Sequence, residues 1–179
     1  MKKLLQINEE IFKMKTMLRK GWLIRDAKSQ DGRTESVAEH CFSTSMLALE
    51  IIHKEKLDLD ELKVLKLVLY HEIGEIDVGD ITPYDNISVE EKHNRELVAV
   101  ERISKQYNMP EMLEIWLEFE EQKTKEAKFA KMIDKLDAII QSRIYQNINP
   151  KLDGITKEFY MRAIKEFPAL IKYIDIVDC

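Results

Sequence analysis

Apolar residues in this chain recur every three or four positions, the spacing that gives a helix one continuous apolar stripe. Ile7, Ile11, Met14 and Leu18 share such a face, which predicts a helix from about Leu4 to Leu18. Residues 20 to 35 hold two glycines, two aspartates and one apolar cluster, Trp22, Leu23 and Ile24, and read as a structured loop. Ser36 and Glu39 have the spacing of a capping box and open a helix that turns Val37, Cys41, Ala48 and Ile52 inward. Asp58 and Glu61 repeat that spacing ahead of Leu62, Leu65, Val68, Leu69 and Ile73, a run apolar on most sides and therefore central. Gly79-Asp80-Ile81-Thr82-Pro83 stops it.

Ser88 with Glu91 caps a further helix reaching about Tyr107, where Asn108 and Pro110 break the pattern. Pro110 suits the first turn of the next helix, to about Gln122. Its stretch from Glu114 to Glu121 reads as amphipathic with a solvated face, Trp116 counting among the exposed aromatics. Thr124 caps a long segment with Phe129, Met132, Ile133, Leu136, Ile139 and Ile140, and Asp134 is embedded among them. One or two weaker helices follow Asn149-Pro150 and Gly154. Strand-like alternation and internal repeats are missing, so the expected class is all-α: one helical bundle spanning 1–179, with 150–179 as a C-terminal helical extension.

Composition narrows the partners. A length of 179 residues fits one domain, and 45% hydrophobic with 34% charged residues supplies a core and argues against disorder. The net charge of −5 gives no general attraction to a nucleic-acid polymer, so a phosphate-bearing ligand has to meet locally placed cations. Two cysteines, Cys41 and Cys179, make no disulfide framework and suit a reducing compartment. No apolar run approaches the roughly 20 residues of a membrane span, and Met1-Lys-Lys leads into an amphipathic rather than a signal-type segment. The expectation is a cytoplasmic protein without a membrane partner.

Four residues interrupt the apolar faces: His40, the pair His71-Glu72, and Asp134. An ionised carboxylate on a buried face is costly unless it is paired or ligating. Two imidazoles and two carboxylates form a donor set for a borderline or hard divalent ion, with positions left for water and substrate. Taken singly, each residue has a plainer reading. His40 fits a hydrogen-bonded core histidine and Glu72 a solvated helix-end charge. Asp134 could pair with Lys131 or Lys135, although those neighbours point elsewhere on a helix wheel. His53 and His93, amid charged residues, read as surface positions. Glu75 and Asp77 stand near a helix end where the macrodipole favours cations, which hints at function. The zinc-peptidase motif H-E-x-x-H is approached at His71-Glu72 and missed, because Glu75 stands in place of the second imidazole.

The motifs Glu35-Ser-Val-Ala-Glu-His40, His71-Glu-Ile-Gly-Glu75, Gly79-Asp80-Ile-Thr-Pro83 and Ala127-Lys-Phe-Ala-Lys-Met-Ile-Asp134, in that order, resemble the HD-domain metal-dependent phosphohydrolase superfamily. The resemblance is to its subgroup with 5′-deoxynucleotidase activity and covers about residues 17 to 146. It implies one divalent cation, manganese, cobalt or magnesium ahead of zinc, iron or nickel, held by His40, His71, Glu72 and Asp134. It implies Glu75 as general base or acid, and Asp80 at the nucleotide-facing edge. It also implies Arg25 on the phosphate with Lys20 as a second cation, a nucleoside 5′-monophosphate substrate, and a homodimer. Two departures stand out: the family's His-Asp pair is His71-Glu72 here, and Lys20-Gly21-Trp22 stands where some relatives carry Arg-Trp. The rivals are an HD hydrolase of another phosphorylated nucleotide and a nucleotide-binding module that Glu72 has deprived of its chemistry.

Overall fold

In the computed structural model, which describes residues 7–174, the apolar stripes pack as nine α-helices and three short 3₁₀ turns, and no strand forms among the described residues. The helices are α1 (Ile7–Thr16), α2 (Lys20–Ile24), α3 (Val37–Glu55), α4 (Glu61–Tyr70), α5 (Glu75–Val78), α6 (Val89–Tyr107), α7 (Pro110–Glu121), α8 (Lys125–Ile148) and α9 (Ile155–Glu166). Leu4 and Cys179, which the sequence reading used, lie outside the described residues.

Helix α1 ends before Leu18, because the chain leaves the helix there to form an isolated antiparallel bridge between Leu18 and Ser36. Arg19 N donates to Glu35 O at 2.9 Å and Val37 N to Met17 O at 2.8 Å, so the entries to α2 and α3 are pinned together. The region expected to be wholly loop begins instead with the short helix α2. Trp22 explains it: the indole is buried, 5.4 Å from the Tyr145 ring and 4.8 Å from Phe159, and its Nε1 donates to Glu35 at 2.8 Å. A large ring that must reach the core fixes the backbone carrying it.

Ser36 forms the expected capping box with Glu39 at the start of α3. At α4 the cap is Asp60, which accepts from Lys63 N at 3.0 Å, rather than Asp58, which lies on the surface beside Lys125. Val64, Leu67 and Val68 are the inward face of α4, while Leu62 and Leu69 are exposed. The helix stops at Tyr70, three residues short of Ile73. A tighter turn follows, with Ile73 N bonded to Tyr70 O and Glu75 N to Glu72 O, both at 3.1 Å, before α5 begins.

Helix α8 runs through the middle of the bundle and packs on α3, α4, α7 and α9. Ile133, Leu136 and Ile139 meet Ala48, Ile52 and Val64 on one side and Tyr160 and Leu170 of the C-terminal part on another. A second core joins Met14, Val37, Cys41 and Ile73 to Val100, Ile103 and Trp116. Trp116 is fully buried, contrary to its reading as an exposed aromatic, because α7 turns it toward α6 rather than toward solvent. Gly74 lets α5 lie against α6: a Cβ there would sit 2.8 Å from the Glu96 Cβ. The first turn of α3, the turn after α4 and the middle of α8 thereby converge.

Candidate metal centre

Those three elements deliver His40, His71, Glu72 and Asp134, whose donor atoms all lie within 4.8 Å of one another. His40 Nε2 is 3.3 Å from His71 Nε2 and 3.3 Å from Asp134 Oδ1; His71 Nε2 is 3.4 Å from Glu72 Oε1. Ligand bonds near 2.0–2.2 Å put adjacent donors about 3.0–3.5 Å apart, so the donor set and its spacing fit one divalent cation.

The imidazoles are oriented from behind. His71 Nδ1 lies 2.9 Å from Val68 O; a carbonyl only accepts, so Nδ1 carries the proton and Nε2 presents its lone pair to the cluster. His40 Nδ1 lies 2.8 Å from Asp137 Oδ2, and Ser43 Oγ donates to the other Asp137 oxygen at 2.7 Å. Burial and Arg19 push the His40 pKa down, yet hydrogen bonds to Asp134 and Asp137 outweigh them and bring it up to about 9. Burial likewise opposes ionisation of Asp134, but Lys135, His40 and His71 hold its carboxyl well below the usual carboxylate range. Glu72 is held down against burial by His71 and Arg19. The local field thus favours a positive charge among these four side chains.

His71, Glu72 and Asp134 line one wall of a cavity of about 440 Å³ that also takes in Glu75, Asp80, Arg19 and Lys92, while His40 lies fully buried behind them. Glu75 is the first residue of α5, so it begins a new helix rather than continuing the face of α4. Its Oε2 is buried without a hydrogen-bond partner, and burial, with Glu72 and Asp80, raises its pKa well above the ordinary value. Asp80 accepts from the Lys20 backbone N at 2.5 Å. Lys92 bonds Ile81 O at 3.3 Å and lies 3.4 Å from Glu96.

Cations are placed differently from the sequence expectation. Arg19, absent from that reading, is the guanidinium beside the cluster: its Nη1 donates to Glu72 Oε1 at 3.0 Å. Burial works against its charge, but Glu72, Asp80 and Glu75 hold it still more firmly protonated. Arg25 sits farther out on the cavity wall, donating to Gly21 O at 3.1 Å, Tyr84 Oη at 2.9 Å and Glu158 at 3.0 Å. The Lys20 ammonium turns away to Asp85.

Asp134 keeps the lysine that the plainer reading offered, since Lys135 Nζ lies 3.0 Å from Oδ2, while Oδ1 faces the imidazoles. The helix-wheel objection fails because a lysine stem is long enough to reach back along the helix. Asp77 is a structural partner of Arg102, at 2.6 Å. His53 is exposed as expected, whereas His93 is half-buried, stacked 5.3 Å from Trp116 and bonded to Glu120 at 3.1 Å on the cavity wall. Asp137 was also missed, although its position three residues after Asp134 puts both carboxylates on one face of α8.

The model of the HD domain family matches residues 11–171. Among curated proteins, the human 5′-deoxynucleotidase HDDC2 is 33% identical over 96% of this chain and 82% of its own length. A 5′-deoxynucleotidase of Schizosaccharomyces pombe is 35% identical over 75% of this chain and 68% of its own. Among solved structures, a protein of Pyrococcus horikoshii superposes with a TM-score of 0.74 at 27% identity, covering 95% of each chain. A conserved hypothetical protein of Pyrococcus furiosus gives 0.72 at 26% identity, covering 95% of this chain and 99% of that one. With nearly its whole length matched, two imidazoles and two acids converging between helices, and relatives that are enzymes, the chain belongs to the HD domain family and is a hydrolase.

Proposed function

We propose that the protein removes the 5′-phosphate from nucleoside monophosphates, deoxy forms included, as a 5′-deoxynucleotidase with one divalent cation. The observation that carries this reading is the convergence of four donor atoms within 4.8 Å of one another, three of them on residues that line a 440 Å³ cavity, a size that suits a small-molecule ligand. The curated relatives named 5′-deoxynucleotidase supply the substrate class.

His40, His71, Glu72 and Asp134 would hold the ion, manganese, cobalt or magnesium by preference. Glu72 is an ordinary oxygen ligand, and its extra methylene relative to aspartate leaves its Oε1 3.4 Å from His71 Nε2. The chemistry such an ion supplies is polarisation of the phosphoryl oxygens and activation of water.

The chain's own groups do the rest. Arg19, already beside Glu72, offers a planar fork to the phosphate oxygens. Arg25, on the cavity wall, and Lys20 are engaged with Tyr84, Glu158 and Asp85 and would meet the phosphate only by giving up those partners. Glu75 has a carboxyl that burial and two neighbouring acids keep protonated more readily than usual. It is suited to give a proton to the departing 5′-oxygen and to take one from the attacking water. Asp80 faces the sugar. As the P–O bond to the 5′-oxygen breaks, water supplies the fourth phosphate oxygen, and the products are nucleoside and inorganic phosphate.

The reading extends to a homodimer in the cytoplasm. No helix among the described residues is long and apolar enough to cross a membrane. Support for self-association comes from Phe42 and Met46 on α3 and Leu62 and Leu69 on α4, all exposed, rather than from Trp116.

The test combines metal analysis with phosphate release from each deoxy- and ribonucleoside 5′-monophosphate under Mn, Co, Mg and Zn. Parent protein that carries metal and releases phosphate, with an inactive Asp134→Ala, supports the reading. Turnover of Asp134→Ala at the parent rate would sink the site, and an inert parent under every metal would sink the activity.

A further inference from the structure

Away from the acids and imidazoles, the cavity is bounded by the 3₁₀ turn Pro83–Asp85, by Arg25 and by α9. Trp22 and Phe119 reach this cavity with 2% and 1% of their surface exposed, but Tyr84 on the turn is 51% exposed. Its place is fixed: Thr82 caps the turn by accepting from Tyr84 N, and Arg25 donates to the phenolic oxygen at 2.9 Å. The Arg25 guanidinium carbon lies 5.4 Å from the Tyr84 ring centroid and 5.5 Å from that of Phe159, and Glu158 anchors the same guanidinium at 3.0 Å. A ring that lines the cavity, is half exposed and is tethered at its hydroxyl end is pre-organised for a flat ligand, because little side-chain freedom remains to be lost on stacking.

The geometry points to Tyr84 as the platform on which the nucleobase stacks, with Arg25 as the residue that positions the ring. The inference rests on the nucleotide reading above and adds which end of the substrate is recognised, and how. Arg19 and Glu75 mark the phosphate end of the same cavity and Tyr84 the other. Stacking on an aromatic face tolerates every base, since each has a π surface. The expected enzyme therefore discriminates weakly among the four bases and strongly against a sugar phosphate that has none.

The experiment compares kcat/KM for deoxyadenosine 5′-monophosphate and thymidine 5′-monophosphate with that for 2-deoxyribose 5-phosphate, which has the same ester and no base. The parent is expected to favour both nucleotides about tenfold or more, with Tyr84→Ala losing most of that ratio, Tyr84→Phe keeping most of it, and Arg25→Gln falling between. A general loss of structure would lower all three rates together and leave the ratio standing. Calorimetric binding of deoxyadenosine, which has no phosphate to hydrolyse, is the second readout and is expected to weaken in Tyr84→Ala by a similar factor. A ratio unmoved by Tyr84→Ala overturns the platform. If the parent hydrolyses none of the three substrates, the 5′-deoxynucleotidase reading fails and the nucleoside titration alone decides: binding weakened in Tyr84→Ala supports the platform, and equal or absent binding overturns it.

Discussion

Asp137 Oδ2 lies 2.8 Å from His40 Nδ1, and the second oxygen of that carboxylate accepts from Ser43 at 2.7 Å. Both oxygens are thus used, and the His40 ring is clamped from behind with Nε2 toward the cluster. Removing the clamp in Asp137→Ala leaves a buried Nδ1 without its acceptor and frees the ring to turn. Metal affinity is expected to fall about 10–100-fold, with Asp137→Asn, which keeps an acceptor, losing less. Titration with Mn followed by calorimetry measures it, and parent-like affinity in Asp137→Ala would show that the clamp does not orient the ligand.

On the proposed reading Glu75 carries a proton and is not a ligand, so Glu75→Gln should separate chemistry from metal content. Turnover is expected to drop about 10²–10⁴-fold while bound metal per chain, read by elemental analysis, stays at the parent level. Loss of metal and turnover together would place Glu75 among the ligands instead.

Gly74 has φ −65°, an ordinary helical value, so its lack of a side chain serves packing alone. An alanine Cβ would lie 2.8 Å from the Glu96 Cβ and 3.1 Å from its backbone, with no flexible tip to yield. Gly74→Ala is expected to destabilise the fold by about 1–3 kcal/mol, read as a lower midpoint in urea. An unchanged midpoint would mean that α5 and α6 can separate freely.

Burial, helped by Glu72 and Glu120, pushes the Glu96 carboxyl up to about 7 from an ordinary 4.5, against the pull of Lys92. Between those two values the unfolded chain has released this proton and the folded chain still holds it, so the contribution is full below 4.5 and declines as pH rises to 7. Glu96→Gln removes that decline. Relative to the parent, the variant should gain about 1–3 kcal/mol between pH 5 and pH 8, measured by denaturant unfolding at both. A pH-independent difference between the two proteins would refute the assignment.

The helices were legible because their caps and stripes are local: Ser36, Ser88 and Thr124 each cap where the sequence places them. Asp58 misled because two acids stand two residues apart, and only the packed path of the chain selects Asp60 as the cap. Trp116 misled because amphipathicity gives the angle between faces, not which neighbour covers them. In the site, the ordered motifs pointed to the four clustered residues, which break apolar stripes. Arg19 breaks none: it lies outside the helices, and its approach to Glu72 spans 53 positions of sequence through the bridge at Leu18 and Ser36. No periodic signal encodes a contact of that kind.

The same bridge frees the chain between its ends. Because residues 17–19 are stitched to 35–37, Arg19 and His40 keep their spacing through that bridge, while at the tip Ser29–Arg33 Gly32 turns at φ +81°, Asp31 bonds Arg33, and Arg33 reaches Glu39 at 3.1 Å. That tip is a permissive site for a spliced-in tag or a reporter peptide, since lengthening a loop whose ends are already fastened adds little closure entropy.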